Sequence, residues 1–221
     1  MIKIIIYLGP SLPLEEAKKI LSSDNRKKVV YAPPIRRGDI PKAVSEGFEV
    51  IGIIDGVFFR ESAVSPRELM DILKSNVKIY GSSSMGALRA SELDRYGMIG
   101  IGKIYQNYRE GIFNSDDEVA LSFDSEEYNP ISEPLVNIRE TIKKALDENI
   151  ITKEESEIIF KSAKSLYFPE RRWNKIIENS EKLMCKSLSS FSEFIKKNRV
   201  DIKKDDAILL LKRIEEDSKW L

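Results

Sequence analysis

The sequence predicts an open parallel α/β sheet with flanking helices in the N-terminal half, followed by a helical C-terminal half. Three observations carry this expectation. Before Tyr96, short apolar runs alternate with helical patterns four times, the signature of strand–helix–strand units with right-handed crossovers. The runs are nearly continuous in apolar character, as strands covered on both faces are. From Gly97 the texture changes, and later segments carry helical periodicity. The expected organisation is a parallel α/β core over residues 1–100 and a mainly helical extension over 101–221, packed on that core. The chain is long enough to bury a substantial core.

Ile2 to Leu8 reads as a buried strand broken by Gly9-Pro10-Ser11. Ser11 suits an N-cap and Pro13 a first helical turn, with Leu14, Ala17, Ile20 and Leu21 facing inward. Lys28 to Ala32 is a second strand, stopped by Pro33-Pro34; a short helix capped by Asp39 runs to Gly47. Glu49 to Ile54 is the third strand, and Asp55-Gly56 puts a carboxylate at its carboxyl end. Phe58 to Ala63 reads as a loop with two aromatics. Ser65-Pro66-Arg67-Glu68 then has the form of a capping box with proline at the first helical position. Val77 to Tyr80 is the fourth strand. Gly97 to Gly102 is a glycine-punctuated connection without the strand and spacing of a dinucleotide fingerprint.

Beyond it, Asp116-Asp117-Glu118 is an acidic run that suits a magnesium-like ion, a solvated loop or a helix start. Ser132-Glu133-Pro134 opens a helix carrying Val136, Ile138, Ile142 and Leu146, with Asn137 and Arg139 as polar groups in its first turns. Thr152-Lys153-Glu154-Glu155 is a second capping box, starting a helix to about Leu166. Helices follow over Pro169 to Ser180, Leu188 to Lys197 and Asp205 to Trp220. The last is amphipathic through Leu209, Leu210, Leu211 and Ile214.

Composition narrows the chemistry. Lysine plus arginine equals aspartate plus glutamate, 36 each, so nothing global points to nucleic acid or an anionic membrane. The chain has no histidine, which excludes Ser-His-Asp and Cys-His catalysis and histidine metal sites. A general base must be a carboxylate, a lysine, a tyrosine or water, and a metal would take oxygen ligands. The single Cys185 permits no intramolecular disulfide and reads as a buried or incidental thiol, which suits a cytoplasmic location. Ile2 to Leu8 is too short for a signal-peptide core, and no apolar run approaches the roughly 20 residues that span a bilayer.

The fourth strand leads into Gly81-Ser82-Ser83-Ser84-Met85-Gly86, after which Ala87, Leu88, Ala90 and Leu93 begin a helical pattern. Ser82 to Gly86 is one substitution from the G-x-S-x-G nucleophile elbow, with Ser84 in the nucleophile's place. The same turn also suits a plain serine N-cap. In a parallel sheet, ligands sit beyond the carboxyl ends of the strands. Gly9-Pro10-Ser11, Pro33 to Asp39, Asp55-Gly56 and Ser82 to Gly86 all belong to that edge, so segments far apart in sequence are expected to line one cleft.

Several blocks, in order, resemble the TfuA-like family: Tyr7-Leu8-Gly9-Pro10-Ser11-Leu12, Tyr31-Ala32-Pro33-Pro34 with Gly38-Asp39, and Ile51 to Gly56. Gly81 to Ala90 with Glu92-Leu93 follows, then Tyr96-Gly97-Met98, Asp116 to Ala120, and Ser132 to Arg139. They lie between about Ile2 and Trp173. The resemblance implies a partner of YcaO enzymes in peptide backbone thioamidation, in peptide natural products or at a glycine of methyl-coenzyme M reductase. There YcaO phosphorylates the amide oxygen with ATP and sulfide displaces it. The expected role here is hydrolysis of a thiocarboxylated, ThiS-like carrier protein to release sulfide, without a cofactor. Ser84 would attack the carbonyl and the Met85 and Gly86 amides would hold the oxyanion, worth about 3 kcal/mol. The base would be Asp55 or an unidentified lysine, and Arg89 would hold the carrier's anionic end.

Gly9, Ser11, Gly38, Asp39, Gly56, Ser82, Ser83, Met85, Gly86, Glu133, Asn137 and Arg139 are the expected substrate-binding residues. Sulfide needs little protonation to leave, which suits a site without histidine. Bacterial members of the family often carry a histidine in the helix that starts here at Ser65-Pro66; this chain has none, so a histidine-based mechanism is not open to it. The alternative is a non-catalytic partner that docks on YcaO or its peptide or protein substrate. A nucleotide-binding reading ranks below both, because no Walker lysine lies near Ser84.

Overall fold

In the computed structural model, which describes residues 1–58 and 62–220, five parallel strands form one sheet. They are β1 (Ile2–Tyr7), β2 (Lys27–Ala32), β3 (Val50–Ile53), β4 (Lys78–Gly81) and β5 (Ile99–Gly100), in the order β2-β1-β3-β4-β5. Each of the four expected strands is present. The fifth lies within the glycine-punctuated stretch: Ile99 and Gly100 pair with Tyr80 and Gly81, a register too short to show as an apolar run. Phe59, Arg60 and Glu61, within the loop read over Phe58 to Ala63, lie outside the described residues. No helix among the described residues is long and apolar enough to cross a membrane.

The helices of the first unit follow the strands: α1 (Leu14–Ile20), α2 (Asp39–Ser45), α3 (Pro66–Leu73), α4 (Met85–Leu93) and α5 (Lys103–Arg109). Caps differ from expectation where tertiary contacts compete. Ser11 is not the N-cap of α1; Pro13 is. Ser65 does cap α3, accepting from the Glu68 amide at 3.2 Å. The Glu68 carboxylate, however, turns away from its own helix and accepts from the Gly38 amide at 3.0 Å, at the start of α2. Half of the capping box has become a tether between two helices.

The chain divides into two compact units. The first holds residues 1–116 and returns with 203–221; the second holds 117–202. The boundary expected near residue 100 is therefore drawn later, and the last helix, α10 (Ile202–Asp217), belongs almost entirely with the sheet. Its Ala207, Leu210, Leu211 and Ile214 join Ile4, Ile6, Leu12, Val50 and Tyr80 in one core. A Cβ on Gly52 of β3 would stand 3.0 Å from Ile214 and 3.3 Å from Leu210, so the missing side chain lets the helix lie close to the sheet. Polar contacts pin the helix further: Tyr80 donates to Asp217 at 2.7 Å, and Lys27 pairs with Glu215 at 2.9 Å. The buried stripe of α10 is less apolar than expected. Leu209 faces out, while Lys203 and Asp206 are buried on the same helical period as Leu210 and Ile214.

The second unit contains α6 (Leu135–Asp147), α7 (Lys153–Ser165), α8 (Trp173–Met184) and α9 (Ser189–Asn198). Leu135, Ile138, Ile159, Trp173, Ile176 and Phe191 are among its core residues. Thr152 and Glu155 form the expected reciprocal capping box of α7. Cys185 terminates α8 in a left-handed conformation with φ 50° and is exposed rather than buried.

Candidate functional site

The order β2-β1-β3 places a topological switch point between β1 and β3, where chain connections leave in opposite directions and ligands bind in sheets of this kind. Asp55 stands there. It is buried, and its Oδ2 accepts from the Gly9 and Ser11 amides at 2.9 and 3.0 Å, while Oδ1 accepts from the Ser11 hydroxyl at 2.6 Å. Ser11 thus leaves helix capping to Pro13 because Asp55 takes both of its donors. The loops after β1 and β3 are locked together by one carboxylate.

Beside them, β4 runs into the serine turn. Its sharpness comes from close packing of α4 on the sheet: a Cβ on Gly86 would stand 1.8 Å from the Ile53 carbonyl oxygen. Ser84 is the N-cap residue of α4 with φ −120° and ψ −118°, yet its side chain makes no capping bond. Instead the Ser84 hydroxyl accepts from the Lys203 ammonium group at 3.0 Å. Lys203 Nζ also lies 4.0 Å from Asp55 Oδ1, and both side chains are 2% exposed. Ser82 donates to the Asp206 carbonyl at 2.8 Å. The Asp206 carboxylate accepts from the Lys103 and Ile104 amides at 2.9 and 2.8 Å, fastening α10 to the start of α5. Burial pushes the Asp206 carboxyl up to about 6, against the opposing pull of those two amides.

Serine, lysine and aspartate thus converge from the turn after β4, from α10 and from the segment after β3. A hydroxyl hydrogen-bonded to an amine can act as a nucleophile with the amine as its base, the relation that defines Ser-Lys hydrolytic sites. The nearby carboxylate favours the ammonium that forms once the amine has taken a proton.

Lys203 is the functional candidate that reading the sequence did not locate. A signal was present: extending the apolar stripe Ala207, Leu210, Ile214 back by one helical period reaches Lys203 and Asp206. Of the other expected residues, Gly56 packs on Ile35 and on the Met85 side chain. Gly38 caps α2, and Asp39 accepts from the Arg36 amide and, through its carbonyl, from the Tyr7 hydroxyl. Arg89 donates to the Val64 carbonyl at 2.9 Å and to both oxygens of Glu92, so its guanidinium is engaged within its own neighbourhood.

Glu133, Asn137 and Arg139 belong to the second unit. Glu133 pairs with Arg199 at 3.1 Å; burial raises its carboxyl, Arg199 lowers it and Asp201 raises it. Asn137 donates to Asp201 at 2.9 Å. Arg139 pairs with Glu118 at 2.7 Å and lies over the Phe160 ring. Asp117 and Glu118, two of the three clustered acids, thus serve as partners of Arg171 and Arg139.

A family model described as TfuA-like protein matches residues 55–172, more than half of the chain, from Asp55 at the switch point through the serine turn and α6. No curated protein matches. Among solved structures, the RcsB response regulator of Salmonella typhimurium aligns over 97% of this chain and 100% of that one, with 11% identity and a TM-score of 0.34.

Proposed function

The chain belongs to the TfuA-like family, which associates it with YcaO-dependent thioamidation, and from that premise we propose that it supplies sulfur by hydrolysing a thiocarboxylated carrier protein. The observation that carries this reading is the buried contact between Lys203 and Ser84, at 3.0 Å, with Asp55 beside the lysine.

In the proposed reaction Ser84 Oγ bonds to the thiocarboxylate carbon and Lys203 Nζ takes its proton. The tetrahedral intermediate collapses, the C–S bond breaks, and sulfur leaves as hydrosulfide with that proton. Water then attacks the Ser84 ester, again through Lys203, and releases the carrier as a carboxylate. Asp55 holds the loop after β1 with Gly9 and Ser11 and stabilises the transient ammonium. It is a positioning residue here, and Lys203 takes the base's role. The sulfide would reach the peptide amide activated by YcaO.

The test is sulfide release from a thiocarboxylated ThiS-like carrier with YcaO absent, comparing wild type with Ser84→Ala. The expected result is turnover by wild type and a loss of at least about 10³-fold in the variant, with unchanged melting. The enclosure of Ser84, 2% exposed, favours a second reading, a docking partner of YcaO or its substrate. No sulfide release by wild type, together with YcaO binding that survives Ser84→Ala, would establish that one instead.

A further inference from the structure

Three consecutive serines make the turn, and two have partners for their hydroxyls. Ser82 donates to Asp206 and Ser84 accepts from Lys203. Ser83 is fully buried, and its hydroxyl has no hydrogen-bond partner among the described residues. Its backbone has φ 64°, the left-handed region that disfavours a residue with a Cβ. A buried hydroxyl without a partner and a strained φ each oppose folding, and glycine at this position would remove both. Their coincidence beside Ser84 calls for a chemical reason.

The neighbouring amides supply one. An oxyanion hole on this turn was expected from the Met85 and Gly86 N–H groups. The Gly86 amide instead points to the Ile54 carbonyl at 3.4 Å. The Met85 amide makes no hydrogen bond among the described residues. One backbone donor therefore remains at the start of α4, next to one hydroxyl held without a partner.

We infer that the Ser83 hydroxyl is a catalytic donor, pairing with the Met85 amide to bind the oxyanion that forms when Ser84 attacks an acyl carbon. This rests on the hydrolytic reading above. As the Ser84 Oγ–C bond forms, the carbonyl π pair moves onto oxygen, and the Ser84 proton goes to Lys203. Ser83 keeps its own proton and donates a hydrogen bond that the resting site leaves unmade. A donor without a ground-state partner is used only as charge develops, so it acts on the transition state rather than on substrate affinity.

Two variants separate this role from a structural one. Ser83→Ala removes the hydroxyl and keeps the Cβ; Ser83→Gly also relieves the backbone. In the sulfide-release assay kcat should fall about 100-fold in both, with KM little changed and melting temperatures equal to or above wild type. The same variants, treated with a fluorophosphonate probe without any carrier, should label more slowly by a similar factor, with the adduct on Ser84. A kcat and a labelling rate within twofold of wild type would overturn the inference, as would an adduct on Ser83, which would make it the nucleophile. A wild type that neither releases sulfide nor labels would remove the hydrolytic reading and this inference with it. A wild type that does both, matched by Ser83→Ala, removes this inference alone.

Discussion

The most deeply buried cation of each unit is held differently. Arg171 in the second unit is 1% exposed. Its Nη2 meets both Asp117 oxygens at 2.7 and 2.6 Å, Nη1 meets the Asp117 carbonyl, and Nε meets the Ala163 carbonyl. This is a planar fork closed by matched acceptors, the arrangement in which arginine ties chain segments together. Lys203 in the first unit is as deeply enclosed, but it meets a serine hydroxyl at 3.0 Å and stands 4.0 Å from the Asp55 carboxylate. The contact with the Ser84 hydroxyl is what fits Lys203 to the base's role proposed above. The second unit also leaves the Ser162 hydroxyl and the Trp173 N–H without partners among the described residues, but neither lies on a left-handed backbone. Burial alone does not separate scaffold from site; a bidentate carboxylate marks the one cation, and a serine hydroxyl in reach distinguishes the other.

The sharpest way to break this contrast is to replace both cations with a neutral side chain. Lys203→Met should reduce sulfide release by about 10³-fold, as loss of a general base does, with a modest loss of stability, because the enclosed Asp55 carboxylate loses its neighbouring cation but keeps three hydrogen bonds from Gly9 and Ser11. Arg171→Met should cost more in stability, lowering it by about 3 kcal/mol in denaturant unfolding. That is the low end for a broken buried pair, because Asp117 keeps a third of its side-chain surface. Equal stability losses in both variants would show the lysine to be scaffold as well.

A smaller effect tests the fastening of α10 in the first unit. Asp206 is raised to about 6 in the folded chain from an ordinary 3.8. The native state therefore binds the proton more tightly than the unfolded chain. Its contribution to stability is full below about pH 4 and is lost as pH rises to about 6. Asp206→Asn should flatten that slope in melting curves taken across this window; an unchanged slope would assign it to another group. The smallest effect belongs to the second unit, where Thr152→Ala should cost about 1 kcal/mol through the α7 cap, without changing sulfide release.

Much of the fold was legible because its signals are local. The apolar runs of β1 to β4, the Thr152–Glu155 box and the breaks at Gly9-Pro10 and Pro33-Pro34 each act within a few residues. The two-residue β5 escaped because its pairing is set by Tyr80 and Gly81 rather than by its own pattern. Ser11 and Glu68 were read as local caps, and long-range acceptors and donors claimed them instead. Part of the candidate site was legible too: the serine turn and Asp55 both stand at strand ends, and a parallel sheet gathers strand ends on one edge.

What the sequence by itself determined was the set of strands, their shared carboxyl edge and the exclusion of histidine chemistry. Only the tertiary structure decided which side chain meets Ser84. Lys203 lies 119 residues away, on a helix whose local signature is an apolar stripe. It reaches the serine because Gly52 lets that helix lie on the sheet, while Ser82 and Tyr80 hold it in register. Helical periodicity names the face a residue occupies. The partner that face meets is set by packing across the whole chain.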